Sequence, residues 1–214
     1  MSQTSTTARI GASRELTVVW LAVLAVFIWS AIRPHDYFTW ALEVFPAIIG
    51  AGVLAATRHR FRLTTLVYVL IAAHMVILMV GGHYTYAEVP FGNWVRDRFG
   101  LARNDYDRLG HFAQGFVPAL ITREVLLRLS VLKRPRWLFA LVTSVCLAIS
   151  ALYELLEWTV SALTGSAGDA FLGTQGDVFD TQKDMAMALV GAATALILLA
   201  RVHDRQIASI EQSF

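Results

Sequence analysis

Residues 63–82, LTTLVYVLIAAHMVILMVGG, decide the fold of this chain. The stretch carries no Asp, Glu, Lys or Arg, and its one histidine, His74, lies near the middle, where we expect a packing hydrogen bond to another helix. At a rise of about 1.5 Å per residue, a helix of this length spans about 30 Å, the thickness of the hydrocarbon core of a bilayer. The stretch therefore predicts a membrane-spanning helix.

Five further apolar runs of similar length lie on both sides of this one. They cover residues 16–32, 39–57, 109–129, 137–158 and 185–200. Hydrophobic residues make up 56% of the 214 residues, charged residues make up 16%, and the mean hydropathy is +0.54, which excludes an ordinary soluble domain. We predict an all-α polytopic bundle of about six transmembrane helices in residues 16–202, with short polar tails at 1–15 and 203–214.

The distribution of Lys and Arg predicts the orientation of the bundle, because cytoplasmic segments carry an excess of these residues. With the N-terminus inside, the inner segments hold eleven cations and the outer segments hold six. The inner ones are Arg9, Arg14, Arg58, Arg60, Arg62, Arg128, Lys133, Arg134, Arg136, Arg201 and Arg205, and the outer ones are Arg33, Arg96, Arg98, Arg103, Arg108 and Lys183. Both termini are then cytoplasmic, and the long loops 83–108 and 159–184 are outside. The inner cations indicate orientation and contacts with anionic lipid headgroups, not a nucleic-acid surface.

The first long loop predicts a short helix in the outer interface. After Pro90, apolar residues recur at helical spacing from Phe91 to Phe99, and Gly100 supplies a stop signal. Such a helix would turn its aromatic side chains toward lipid or toward the bundle.

Acidic residues are the best lead to function. Nine of the sixteen lie in three stretches between apolar runs, and several sit near His83 or His111 in the sequence. These nine are Asp36; Glu88, Asp97, Asp105 and Asp107; and Asp169, Asp177, Asp180 and Asp184. Carboxylates beside membrane segments are costly, so a cluster of them indicates a site.

Asp107, His111 and Gln114 occur at intervals of four and three, which places them on one face of the helix that enters the fourth apolar run. A histidine and an aspartate on one face can share a metal ion or a proton. The structural alternatives are a helix N-cap for Asp107 and a hydrogen-bonded packing role for His111.

Glu154 and Glu157, in YELLEW at 153–158, are the sharpest signal in the chain. They are three residues apart near the end of an apolar run, with no cation beside them in the sequence. Carboxylates in such a position are expected to be paired, protonated or bound to metal. The alternative is that Glu157 reaches interfacial water while Glu154 bonds Tyr153 or another helix.

Asp177, Asp180 and Asp184 follow at intervals of three and four, again on one face if that turn is helical. His83 and Glu88 directly follow the third run and could complete the same polar cavity. Oxygen ligands favour hard cations such as Mg²⁺, whereas a histidine ligand moves the preference toward Zn²⁺ or Mn²⁺.

Over residues 63–205 the chain resembles the YjdF-like family of bacterial inner-membrane proteins. The resemblance rests on GGHYTYAEVP at 81–90, DYDRLGHFAQGFVPAL at 105–120, YELLEW at 153–158 and DAFLGTQGDVFDTQKDM at 169–185. It implies an inner-membrane location and a polytopic helical fold, and no catalytic residue. A weaker similarity to VanZ-like membrane proteins rests on Asp107, Arg108, His111 and Phe112, with Arg108 where a lysine is common, and implies a role in the cell envelope.

Three functions follow as hypotheses. In the first, the protein is a metal-dependent enzyme acting on an envelope lipid or lipid-linked headgroup. His111, Glu154, Asp177 and Asp180 would hold the divalent cation, and Glu157 or His83 would act as general base. Glu88, Asp107, Gln114 and Asp184 are further candidates for the polar cavity. The second hypothesis is an ion-coupled transporter, and the third is a non-catalytic structural membrane protein whose polar cluster fastens the outer loops.

Overall fold

A computed structural model describes residues 2–129 and 135–212, with the side chains of all of these except 2–13, 135, 166, 167 and 169. The described chain forms eight α-helices and one short 3-10 helix, with no strand among these residues, so the all-α prediction is confirmed. The elements are α1 (Ser2–Ser30), α2 (Tyr37–Thr57), α3 (Thr65–Tyr84), the 3-10 helix (Tyr86–Glu88), α4 (Pro90–Phe99), α5 (Tyr106–Leu129), α6 (Pro135–Thr164), α7 (Ser166–Leu172) and α8 (Asp180–Glu211).

Four of the described helices are long and apolar enough to cross a membrane, namely α2, α3, α6 and α8. The predicted runs 16–32 and 109–129 correspond to α1 and α5, which are not among these four. Helix α5 carries charged residues toward both ends, including Arg108 and Glu124. Among the residues used for the orientation and acid patterns, Lys133, Arg134 and the side chains of Arg9 and Asp169 lie outside the described residues.

Among the described helices, α5 and α8 share the most extensive contact, and glycines permit their close approach. A Cβ atom at Gly115 of α5 would lie 1.7 Å from the carbonyl oxygen of Ala188 in α8. Similarly, a Cβ atom at Gly191 of α8 would lie 2.1 Å from the carbonyl oxygen of Phe112 in α5. Small residues let helix backbones approach in this way inside membranes. The contact fixes the register in which polar residues of the two helices meet at both ends.

Helix α3 is the other organising element, since α1, α2 and α5 all pack against it. Its buried residues Val67, Ile71 and Met75 join Val44 of α2 and Leu120 of α5 in one apolar core. Helix α6 packs on α5 and α8 and carries Glu154 and Glu157. Side chains from α2, α3, α5, α6 and α8 can therefore meet inside one bundle.

The loop before α5 contains the predicted short helix. Helix α4 begins at Pro90, and Gly100 ends it in the left-handed conformation with φ of 64°. Phe91, Trp94 and Phe99 are exposed on it, as expected for a helix at a membrane interface. At the start of α2, the backbone N–H of Thr39 donates to Asp36 at 2.6 Å, and this bond lowers the pKa of Asp36.

Candidate functional site

Five titratable side chains meet at the N-terminal ends of α5 and α8 and the C-terminal half of α6. We call them the histidine–carboxylate cluster: Asp107 and His111 of α5, Glu154 and Glu157 of α6, and Asp184 of α8. Spacings of four and three residues put the α5 pair and the α6 pair each on one face of its helix. The α5–α8 glycine contact then sets Asp184 opposite His111. All except Asp107 are buried.

His111 lies at the centre of this cluster, with its two ring nitrogens in different surroundings. Nδ1 lies 3.1 Å from the carboxamide oxygen of Gln114, and because that oxygen only accepts, Nδ1 is the donor. Nε2 lies 3.5 Å from Asp107, 3.5 Å from Glu154 and 3.9 Å from Asp184. A lone pair facing three carboxylates is unfavourable, so Nε2 needs either its own proton or a cation between it and the oxygens.

The cluster contains two groups of three ligand atoms that lie within 4.8 Å of one another. One comprises Asp107, His111 and Asp184, and the other comprises His111, Glu154 and Glu157. Oxygen Oε1 of Glu154 has no hydrogen-bond partner among the described residues, although Glu154 is only 5% exposed. A buried carboxylate oxygen without a donor is the kind of atom that a cation satisfies.

Next to the cluster, three cations hold the remaining acids. Arg108 donates to Asp180 at 2.6 Å, contacts Asp177 at 3.3 Å and is also paired with Asp184. Arg103 is paired with Asp180. Lys183 donates to Asp177 at 2.6 Å, and this bond lowers the pKa of Asp177. We call Arg103, Arg108, Asp177, Asp180 and Lys183 the arginine network.

The arginine partners of the group at 177–184 were not predicted from the sequence. Their partners come from the loop and first turn of α5, about 70 residues earlier in the chain. The proposed metal-binding role of Asp177 and Asp180 stays a prediction, and the contacts described for their carboxylates are with cationic side chains and backbone. Arg103 also donates to the carbonyls of Gly173 and Thr174, which fastens the α7–α8 loop to the start of α5.

Two predicted site residues lie away from the cluster. The ring of His83 packs 4.3 Å from that of Trp29, and its Nδ1 is 3.0 Å from the carbonyl oxygen of Ser30, so its contacts tie α3 to α1. Glu88 is exposed and accepts a weak hydrogen bond from Asn93 at 3.5 Å. This placement gives no support to His83 as a general base.

A cavity of about 200 Å³ adjoins the cluster. Its polar lining includes Asp107, His111, Gln114 and Glu157 from the sequence prediction, together with Glu43, Tyr86 and Tyr153, which that prediction missed. The hydroxyl of Tyr153 donates to Glu43 at 3.3 Å. Burial raises the pKa of Tyr86, which keeps its hydroxyl protonated. Glu43 could have been noticed as the lone carboxylate in the apolar run 39–57.

An apolar groove of about 470 Å³ between α2, α3 and α5 continues from this cavity. The two spaces share four lining residues: Pro46, His74, Leu78 and Pro118. No hydrogen bond of His74 is described, and its Nε2 is buried without a partner among the described residues. A polar cavity that continues into an apolar groove matches the two parts of a lipid, a polar headgroup and an apolar acyl chain.

A second buried polar cluster lies toward the C-terminal ends of α5 and α8. We call it the Glu124 cluster: Thr64, Arg123, Glu124, Arg128 and His203. Glu124 accepts hydrogen bonds from the backbone and hydroxyl of Thr64, from Arg128 at 2.7 Å and from His203 at 3.0 Å. Arg123 donates to Nδ1 of His203, which leaves Nε2–H to donate to Glu124.

Comparison with known proteins places the chain in a family. A family of predicted membrane proteins, DUF2238, matches residues 15–205. The chain belongs to this family. Inner membrane protein YjdF of Escherichia coli (strain K12) is 51% identical over 187 residues, which cover 87% of this chain and 90% of that protein. No solved structure matches the chain. The resemblance to YjdF-like proteins is thus confirmed, and that to VanZ-like proteins stays a prediction.

Proposed function

We propose that the protein spans the bacterial inner membrane six times, with both termini cytoplasmic and the histidine–carboxylate cluster facing outward. Three observations support this arrangement: the E. coli relative is named an inner membrane protein, four helices are apolar enough to cross a membrane, and cations are in excess in the segments assigned to the inside. Helices α5 and α8 are parallel, since Arg108 meets Asp184 at their starts and Glu124 meets His203 at their ends, as a six-span order requires.

Reporter fusions test this topology. Fusions after Arg60, Lys133 and Phe214 should report the inside, and fusions after Gly100 and Gly168 should report the outside. Lys133 and Phe214 lie outside the described residues, so these two fusions rest on sequence alone. A cytoplasmic signal at Gly100 or Gly168 would overturn the outward-facing site without affecting the geometry of the cluster.

We further propose that the cluster binds a divalent cation, Zn²⁺, Mn²⁺ or Mg²⁺, and uses it to act on the headgroup of an envelope lipid. The observation that carries this proposal is the pairing of Nε2 of His111 with Oε1 of Glu154, 3.5 Å apart, where the oxygen lacks any described hydrogen-bond donor. A cation there satisfies both atoms at once. With mixed nitrogen and oxygen ligands, Zn²⁺ and Mn²⁺ fit better than Mg²⁺.

The residues divide into roles by position. His111 and Glu154 would hold the cation, and Asp107 and Asp184 form the other group of ligand atoms with His111, one that does not include Glu154. Glu157 lines the cavity and belongs to the same group, which places it to take a proton from a water molecule there. A bound cation would polarise that water or an ester oxygen. The adjoining apolar groove is the observation that favours a lipid as substrate.

Metal content tests the cation. Protein purified without chelator should carry about one Zn²⁺ or Mn²⁺ per chain, and chelation should lower the melting temperature, since a ligand present at 100 times its Kd stabilises by roughly 2.7 kcal/mol. Glu154→Gln and His111→Gln should lose both metal and chelator response. Glu88→Gln, an exposed glutamate in the α3–α4 segment, is the matched control and should behave as wild type.

Headgroup release tests the reaction. Incubating the metal-loaded protein with extracted inner-membrane lipids should release a headgroup detectable by mass spectrometry. Glu157→Gln should retain metal and lose this release, because it removes the base and not the two proposed ligands. Metal-loaded protein that releases nothing from any envelope lipid would contradict the enzymatic proposal while leaving cation binding in place.

The structural alternative has its own supporting observation. Arg103 and Arg108 join the α7–α8 loop to the start of α5 through Asp177, Asp180 and two carbonyls, as a fastening would. If neither wild type nor Glu154→Gln carries metal and both melt alike with and without chelator, the whole region is such a fastening. Transport receives less support, because the candidate ion-binding residues lie at one end of the bundle.

A further inference from the structure

A second groove lies between α1 and α2, away from the histidine–carboxylate cluster. Both helices pack against α3, and the space left between them is about 800 Å³. Its walls are apolar: Leu21 and Leu24 of α1 are more than half exposed there, and Leu54 of α2 faces the same space. This volume is within the range of about 300–1,000 Å³ that is usual for ligand sites.

One end of this groove is basic. Arg58, His59 and Arg62, from the α2–α3 loop, belong to its lining, and the described lining contains no Asp or Glu. Arg58 donates through Nε to His59 at 3.1 Å, which leaves its terminal amino groups available to another acceptor. Tyr68 of α3 also lines the groove; its oxygen accepts a long contact from the Leu63 backbone at 3.4 Å, so its own hydrogen can donate elsewhere.

We propose that this groove binds an anionic phospholipid. Its phosphate would lie between Arg58 and Arg62, with Tyr68 as a further donor, and its acyl chains would lie along Leu21, Leu24 and Leu54. Arginine side chains bind phosphate oxygens through charge-assisted hydrogen bonds, and basic pockets between membrane helices suit anionic headgroups. The charge of the rim selects an anionic over a zwitterionic lipid, and the apolar walls select a lipid over free phosphate.

This groove is separate from the proposed catalytic site, so failure of one proposal leaves the other unaffected. Its lining comes from α1, α2, the α2–α3 loop and α3, and it shares only Leu54 with the apolar groove that continues from the polar cavity. A lipid bound here would join α1 to α2 at the end where they do not pack on one another. It would act as a structural ligand rather than a substrate.

Native mass spectrometry with matched variants tests the proposal. Wild-type protein should retain phosphatidylglycerol or cardiolipin through purification and lose it only slowly to phosphatidylcholine. The double variant Arg58→Ala/Arg62→Ala should bind phosphatidylglycerol at least about tenfold more weakly, since each basic side chain near an anionic headgroup contributes roughly 1 kcal/mol. Arg60→Ala is the matched control: Arg60 is an exposed arginine of the same loop that is not part of the lining, and its loss should change little.

Fluorescence supplies a measurement that does not depend on the double variant folding. Trp20 lines the groove, so brominated phosphatidylglycerol should quench it more strongly than brominated phosphatidylcholine does, and the difference should vanish in Trp20→Phe. Inorganic phosphate should not relieve the quenching. Equal quenching by the two lipids, equal lipid retention by Arg58→Ala/Arg62→Ala and Arg60→Ala, or displacement by inorganic phosphate alone would each overturn the proposal.

Discussion

Both ends of the α5–α8 pair bury carboxylates, but the two ends differ in how those carboxylates are neutralised. At the C-terminal ends, the Glu124 cluster surrounds one fully buried carboxylate with five hydrogen bonds from Thr64, Arg128 and His203. No large cavity is needed, and every strong charge there has a described partner. Such a cluster is closed: its donors and acceptors are matched within the chain.

At the N-terminal ends, acidic side chains outnumber cationic ones. The histidine–carboxylate cluster and arginine network together hold Asp107, Glu154, Glu157, Asp177, Asp180 and Asp184 against Arg103, Arg108, Lys183 and His111. Glu43 adds a further carboxylate across the adjoining cavity. Burial alone therefore does not mark a site. An excess of one charge beside a cavity leaves something for a ligand to neutralise, whereas the Glu124 cluster is balanced once Asp204 pairs with Arg123, and it leaves nothing.

The largest effect is expected at the balanced end. Glu124→Ala leaves Thr64, Arg128 and His203 without their shared acceptor inside the bundle, so the free energy of unfolding should fall by about 3–5 kcal/mol. Chemical unfolding in detergent measures this loss. Glu211→Ala, at the exposed end of α8, controls for removal of a glutamate and should change stability little. A loss below about 1 kcal/mol for Glu124→Ala would show that the cluster is not a fastening.

Arg108 supplies the next largest effect, at the other end. Because it contacts Asp177, Asp180 and Asp184, Arg108→Ala should reduce the free energy of unfolding by about 2 kcal/mol, with partial solvent exposure keeping the loss below that of Glu124→Ala. Arg108→Lys should recover only part of it, since a compact ammonium lacks the planar fork of donors with which the guanidinium reaches three carboxylates. Full recovery by lysine would mean that charge alone, not bridging geometry, matters.

The sequence was enough to predict the helices and the neighbours along each helix. Apolar runs marked the buried segments, and intervals of three and four correctly placed His111 with Gln114 and Glu154 with Glu157. What it could not provide was pairing between segments. Arg103 and Arg108 reach Asp180 across about 70 positions, and His83 turns toward α1 rather than toward His111. These outcomes depend on which helix faces which, and for α5 and α8 the close contacts at Gly115 and Gly191 set that arrangement.

Glu154→Gln should show the opposite sign from Glu124→Ala. In chelator, Glu154→Gln removes the desolvation cost of a buried charge and its repulsion with Asp184 and Asp107, and these offset the lost attraction to His111, so stability should stay unchanged or rise by about 1 kcal/mol. The same unfolding assay, run with and without chelator, measures this. If Glu154→Gln destabilises the chelated protein as strongly as Glu124→Ala does, the contrast between the two ends is wrong.

The smallest effect belongs to the edge of the arginine network. The hydrogen bond from Lys183 lowers the pKa of Asp177, so folding favours its ionised form. A depressed pKa in the folded state contributes stability that is present above the unfolded pKa of about 3.9 and is lost as pH falls through the folded value. The melting temperature of Asp177→Asn should therefore lie slightly below that of wild type from pH 6 to 8, and the gap should close toward about pH 3. Asp204→Asn, which breaks the pair between the exposed Asp204 and the buried Arg123, gives the size expected for a partly buried ion pair at pH 7. A gap for Asp177→Asn that widens in acid would mean that Asp177 is protonated in the folded protein and that Lys183 is not its partner.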